Sequence, residues 1–157
     1  MKKILLKAGL ALAFFTILTC NTACSKDDST TDVEMEITTN ILQLVNEHRL
    51  SIGKQVLETN TLAEDLAEEH NIFMISQGEI SHENFDDRAD RLFDEENAKG
   101  VGENVAAKQK SAEDVMTAWL DSKGHRDNIE GDFTHIGISA IQNNEGYYYY
   151  TQIFLKK

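Results

Sequence analysis

The stretch His135-Ile-Gly-Ile-Ser-Ala-Ile-Gln-Asn-Asn-Glu-Gly-Tyr-Tyr-Tyr-Tyr-Thr-Gln-Ile-Phe-Leu155 decides the fold class of this chain. Residues 135–141 are rich in isoleucine and residues 147–155 are aromatic and β-branched, the side chains that suit a pleated, half-buried surface. Asn143-Asn144-Glu145-Gly146 between them reads as a hairpin turn. A further strand is expected over 101–107, where the pattern alternates. Upstream, the period changes to that of a helix. Ile37, Ile41, Leu44, Val45 and His48 recur at three- and four-residue steps, which predicts a helix over 34–49 that ends around Gly53. A second helix is expected over 61–77, with Leu62, Leu66, Phe73 and Met74 as its stripe, Thr61 and Glu64 at capping-box spacing and Gly78 as its stop. A short third helix within 86–95 has only Leu92 and Phe93 to bury. The fourth starts at Ser111, turns Val115, Met116, Trp119 and Leu120 inward, and is expected to end at Gly124 with His125 projecting from the turn beyond. Helices first and an antiparallel sheet last argue an α+β fold with helices packed over the sheet.

The chain has 157 residues, the size of one ordinary domain. Its 27 acidic against 15 basic side chains give a net charge of -12, which repels phosphate backbones and excludes a nucleic-acid partner. A hydrophobic content of 41% is enough for a packed core. Met1-Lys2-Lys3, Lys7 and a largely apolar run over 8–18 form a secretory signal pattern, too short for the roughly 20 residues of a spanning helix. Both cysteines, Cys20 and Cys24, close this leader, so the domain downstream has no thiol catalysis, no cysteine zinc site and no disulfide. Cys24, preceded by Thr22-Ala23, resembles the lipidated first residue of a bacterial lipoprotein, and Ser25-Lys26-Asp27-Asp28 resembles the acidic tag of surface-exported lipoproteins. The expected organisation is a signal peptide over 1–23, a tether over 24–36 and one domain over 37–157. The expected location is the outer membrane or cell surface, held by lipid on Cys24; simple secretion is the alternative.

Strand alternation puts Val101, Glu103, Val105 and Ala107 on one face, so the Glu103 carboxylate lies on the more apolar side. There it must be partnered, reach solvent or serve a site, because burying it alone costs several kcal/mol (about 3 to 5). Ser122 falls four and three residues beyond Val115 and Trp119 on the buried stripe of the fourth helix. His125, beyond that helix, is placed to titrate, to ligate a metal or to satisfy terminal carbonyls. His82 stands in Ser81-His82-Glu83-Asn84-Phe85, but Asp86 occupies the place where a helical zinc-protease motif needs its second histidine. His48 and His70 lie inside helices, to pack or to face water, and His135 starts a strand. No phosphate loop, nucleophile elbow or dinucleotide fingerprint is present.

Six fragments stand in an order that resembles the bacterial branch of the CAP superfamily, also called SCP-like: Val45-Asn46-Glu47-His48-Arg49, residues 81–85, Gly102-Glu103-Asn104-Val105-Ala106, residues 119–129, His135-Ile136-Gly137-Ile138 and Tyr150-Thr151-Gln152-Ile153-Phe154. The resemblance covers residues 37–154 and implies an α-β-α sandwich, a small antiparallel sheet covered by helices on both faces. It also implies a central cleft with two histidines and two acids that in some members bind a divalent cation such as zinc. His82, Glu103 and His125 match three of these positions, while Ser122 stands where the second acid falls. Two imidazoles and one carboxylate would hold zinc weakly, or with water completing the shell. The function expected on this basis is an extracellular binding module for a lipid, small-molecule or protein ligand. The alternative is a metal-dependent hydrolase of the envelope, for which no further acid is placed as general base.

Overall fold

The computed structural model describes residues 26–157, with side chains from Thr30 onward. The expected signal peptide over 1–23 and the lipidation residue Cys24 lie outside the described residues. None of the described helices is long and apolar enough to cross a membrane.

Nine elements follow one another: α1 (Lys26–Ser51), β1 (Glu58–Thr59), α2 (Thr61–Gln77), α3 (Phe85–Glu96), β2 (Gly100–Ala107), α4 (Ala112–Asp121), α5 (Lys123–Ile129), β3 (His135–Gln142) and β4 (Tyr148–Lys156). The expected strands and the first four helices are all present. Four differences have physical causes. α1 begins at Lys26, so its first turns take in residues expected to be tether. α2 is capped not by Thr61 but by Asn60, whose extended backbone lets its Oδ1 accept the Ala63 N–H at 2.9 Å. Gly124 does not end the fourth helix: Ser122, with extended backbone, breaks it, and Gly124 lies inside α5, a helix absent from the sequence reading. The sheet is mixed, because the two-residue β1 joins β3 in parallel.

Strand order is β1-β3-β4-β2, with β4 antiparallel to both long neighbours. Alternation along β4 divides the core. Tyr150 and Phe154 face a cluster with Ile41 and Val45 of α1, Val115 and Trp119 of α4, and Ile129 of α5. Ile153 and Leu155 face Leu66 of α2 and Leu92 of α3. Helices therefore cover both faces, as an α-β-α sandwich requires. Trp119 is buried edge-on to Tyr150 and donates its indole N–H to the Val105 carbonyl at 3.3 Å. Leu66, Ile136 and Phe154 are fully buried as well, while Leu44, Phe73 and Ile138 flank the clusters.

The polar residues near the end of α1 tie loops to this frame. Asn46 exchanges two hydrogen bonds with the Leu57 backbone, at 2.8 and 3.1 Å, which fixes the approach to β1. Buried Arg49 donates to the carbonyls of Gln55, Ile129, Gly131 and Phe133, so one guanidinium satisfies the turn between α5 and β3. His48 pairs with Glu130 at 2.9 Å. Two glycines allow close approach. At Gly137 a Cβ would lie 2.1 Å from the Ala63 carbonyl carbon, so α2 sits directly on β3; at Gly102 it would meet Asn128 and Phe133 at 3.0 Å.

Candidate functional site

Glu103 lies in β2 opposite Ile153, and Val101 and Val105 from the same strand join the clusters beneath α2 and α3. The face expected from alternation is therefore the one observed. Its side chain is 2% exposed, and its carboxylate accepts three hydrogen bonds from protein donors. Arg88 of α3 donates Nε–H to Oε2 at 2.8 Å and Nη2–H to Oε1 at 2.9 Å, the fork geometry in which guanidinium binds carboxylate most firmly. A third Arg88 donor, on Nη1, reaches the Glu83 carbonyl at 2.8 Å. His82 adds Nδ1–H to Oε1 at 2.8 Å.

Arg88 is the residue the sequence reading missed. The acidic third helix looked poor in buried material, and Phe93 is in fact 42% exposed. Its buried face is Arg88, Ala89 and Leu92. The one trace of it in the sequence is a basic residue four places before Leu92 on the apolar face of an acidic helix, which marks Arg88 as buried without naming its partner.

His82 is half exposed, so its ring stands at the surface end of the pair. Buried His70 of α2 lies beside it. Its Nε2–H donates to the Ser81 carbonyl at 2.7 Å and stands 3.9 Å from Glu103, while its Nδ1 has no hydrogen-bond partner among the described residues. Burial holds the His70 imidazole below the ordinary histidine pKa, against the attraction of Glu103. His125, half-buried in α5, is lowered by burial first and then by the positive charge of His82.

α5 is fixed to β2 by amides. Asn128 Nδ2 donates to the Glu103 carbonyl at 3.0 Å and to Asn104 Oδ1 at 2.9 Å, and Asn104 Nδ2 donates to the His125 carbonyl and to Gln152. β2 is one of the two outer strands; α5 is bonded to its backbone at Glu103, while the Glu103 side chain is held by Arg88 and His82. Ser122 is half-buried at the corner between α4 and α5; its N–H bonds Trp119 and its carbonyl accepts from Arg126. Among the described residues no hydrogen bond joins its hydroxyl to the other three.

These residues do not fit a divalent cation as arranged. Both Glu103 oxygens already face a permanent positive charge, and among the described residues no three of His, Cys, Asp and Glu are grouped to hold a metal ion. What the surface offers instead is an open depression lined by His82, Asn84, Phe85, Asp86 and Asp87. A cleft of about 230 Å³ adjoins it between α2 and α3, with Leu66 and Phe73 as apolar floor and Glu69, Asp87 and Arg91 at the rim.

Comparison with known proteins matches this architecture. The structure resembles an extracellular protein containing an SCP domain from Bacillus anthracis, with a TM-score of 0.74, 26% identity, and 87% of this chain and 45% of that one covered. An outer surface protein of Borrelia burgdorferi shares the fold at a TM-score of 0.70 and 21% identity, over 78% of this chain and 93% of that one. In sequence, the uncharacterized membrane protein YlbC of Bacillus subtilis is 30% identical over 121 residues, 74% of this chain and 34% of that protein. The uncharacterized protein YkwD of the same organism is 43% identical over 60 residues, 38% of this chain and 22% of that protein. The chain thus spans about a third or less of the length of these two relatives. The sequence model of the cysteine-rich secretory protein family matches residues 42–154, which takes in the α1 motif, the Arg88–Glu103 pair, α5 and the sheet as far as Phe154, and the chain belongs to this CAP family.

Proposed function

We infer that this CAP domain is a binding module of the cell envelope, tethered through lipid on Cys24, rather than a hydrolase. The observation that carries this reading is the Glu103 carboxylate, closed in by the Arg88 fork and by His82. A general base needs a free lone pair within reach of the proton it takes, and this carboxylate has both oxygens committed inside the protein. The exposed His82 ring, the apolar floor of Leu66 and Phe73 and the charged rim suit an amphipathic small molecule or the side chain of a partner. Attachment at the surface agrees with the leader pattern and with the extracellular, outer-surface and membrane descriptions of the relatives. Zinc has no part in this reading, because Arg88 supplies the positive charge that Glu103 requires.

Three measurements test it. Calorimetric titration with zinc at neutral pH is expected to show no site, and peptide, ester and peptidoglycan substrates are expected to stay intact with or without the metal. Zinc uptake that disappears in the His82→Ala/His125→Ala variant, or zinc-dependent turnover lost in Glu103→Gln, would replace the module with the metal-dependent alternative. Anilinonaphthalene sulfonate, an amphipathic anion, is expected to fluoresce in the cleft and to bind more weakly after Arg91→Glu; an unchanged signal in that variant would remove the cleft from the proposal.

A further inference from the structure

The sheet has an edge that its short neighbour leaves open. β1 pairs with β3 only at His135 and Ile136, yet β3 continues to Gln142. The direction of the free backbone groups follows from its two ends. The Ile136 carbonyl accepts the Asn60 N–H at 3.0 Å, and the Gln142 N–H donates to Glu34 Oε1 at 2.9 Å, both on the side away from β4. Since backbone direction alternates along a strand, the N–H and C=O of Ile138 and Ala140 point the same way. Among the described residues no hydrogen bond is made to them on that side. Glu34 shows that the edge takes an acceptor from outside its own sheet.

These groups lie at the bottom of a trough of about 590 Å³ between the first part of α1 and the exposed side of α2. A smaller hollow of about 90 Å³ shares Thr38, Glu64 and Ile138 with it and runs on to Thr59, where β1 stops. The trough therefore begins where the sheet's own outer strand leaves off. Its walls are acidic: Glu34 on α1, and Glu64, Asp65 and Glu68 on α2. Burial, and Asp65 beside it, push the Glu64 carboxyl above its ordinary pKa. Exposed Met35 and Ile72 supply apolar contacts on the two walls.

We propose that this trough receives an extended, lysine- or arginine-bearing segment of a partner protein, which adds to β3 as a strand in continuation of β1. Strand addition draws its affinity from main-chain hydrogen bonds and its selectivity from the flanking side chains. Here those side chains select positive charge. A second copy of this chain is disfavoured as occupant, because it would bring its own acidic walls against these, in a protein of net charge -12. The site is separate from the His82 cleft.

The test uses a fluorescent Lys-Val-Lys-Val-Lys-Val peptide, its Glu-Val counterpart and a Lys-Pro counterpart that cannot complete a ladder. Only the first is expected to bind, with added hydrogen-exchange protection at the Ile138 and Ala140 amides. Ala140→Pro removes an outward N–H without touching the β4 ladder, and should weaken binding by about tenfold or more. Asp65→Lys/Glu68→Lys should do the same through charge, and keeps the test intact if the proline variant fails to fold. His82→Ala should leave peptide binding unchanged, which separates this site from the function proposed above. Equal binding of the acidic peptide, binding without protection at Ile138 and Ala140, full affinity in the charge-reversed variant, or amides already protected in the free protein would overturn the proposal.

Discussion

Glu103 shows how far a single residue can be read. Alternation along β2 was enough to put its carboxylate on the covered face, and burial cost was enough to demand a partner. The partner itself was out of reach, because Arg88 is 15 positions upstream on a helix whose composition looks solvent-exposed. With 9% and 2% of the two side chains exposed, removing one leaves the other charge buried and unpaired. Arg88→Ala is therefore expected to cost about 3 to 5 kcal/mol in urea denaturation. Replacing both, as Arg88→Met/Glu103→Gln, should cost distinctly less; a double variant as unstable as the single one would mean that packing, not charge, sets the effect. Ser122 teaches the opposite lesson. Its place on a helical stripe was legible only while α4 was taken to continue, and its extended backbone ends that helix.

Elements were legible where their signals are local. Gly78 stops α2 with a left-handed backbone and one N–H shared between the Met74 and Ile75 carbonyls, and Ser111 caps α4 by accepting the Asp114 N–H at 3.2 Å. The short elements escaped. β1 has two residues and exists only because β3 offers an edge, and α5 holds its place through Asn128 and Asn104 rather than through any periodicity of its own. Gly137 belongs to this scale. In an isoleucine-rich strand it reads as a weak point, whereas it is where α2 lies backbone-on-backbone against β3. Gly137→Ala is expected to lower stability by about 1 to 3 kcal/mol, because its neighbours are main-chain atoms that no rotamer change can move. Gly102→Ala meets only side chains and should cost less; thermal unfolding of both variants checks the order.

At the scale of the whole molecule, stability is tied to pH through the histidines that folding buries. His70 and His125 have lowered folded pKa values, so the unfolded chain binds more protons than the native one as pH falls below the ordinary histidine value of about 6.5. Their contribution is present above that pH and is lost on acidification through the lowered folded values. Melting temperature should fall between pH 7 and pH 5, and His70→Gln should flatten the fall; an unaltered slope would show that His70 takes up its proton as readily in the fold as in the unfolded chain. Periodicity, caps, charge and the order of six fragments, all written within a few residues of each position, determined the class of fold, the faces of the strands and the family. Partners were decided only by tertiary structure: the Arg88 fork on Glu103, the Arg49 clamp, α5 against the sheet edge and the uncovered side of β3. The reason is physical. Local patterns fix how a segment curls and which side it buries, but a buried charge or a strand edge is satisfied by whichever group packing brings within hydrogen-bond reach, and for the Arg49 guanidinium that group is 84 positions away in sequence.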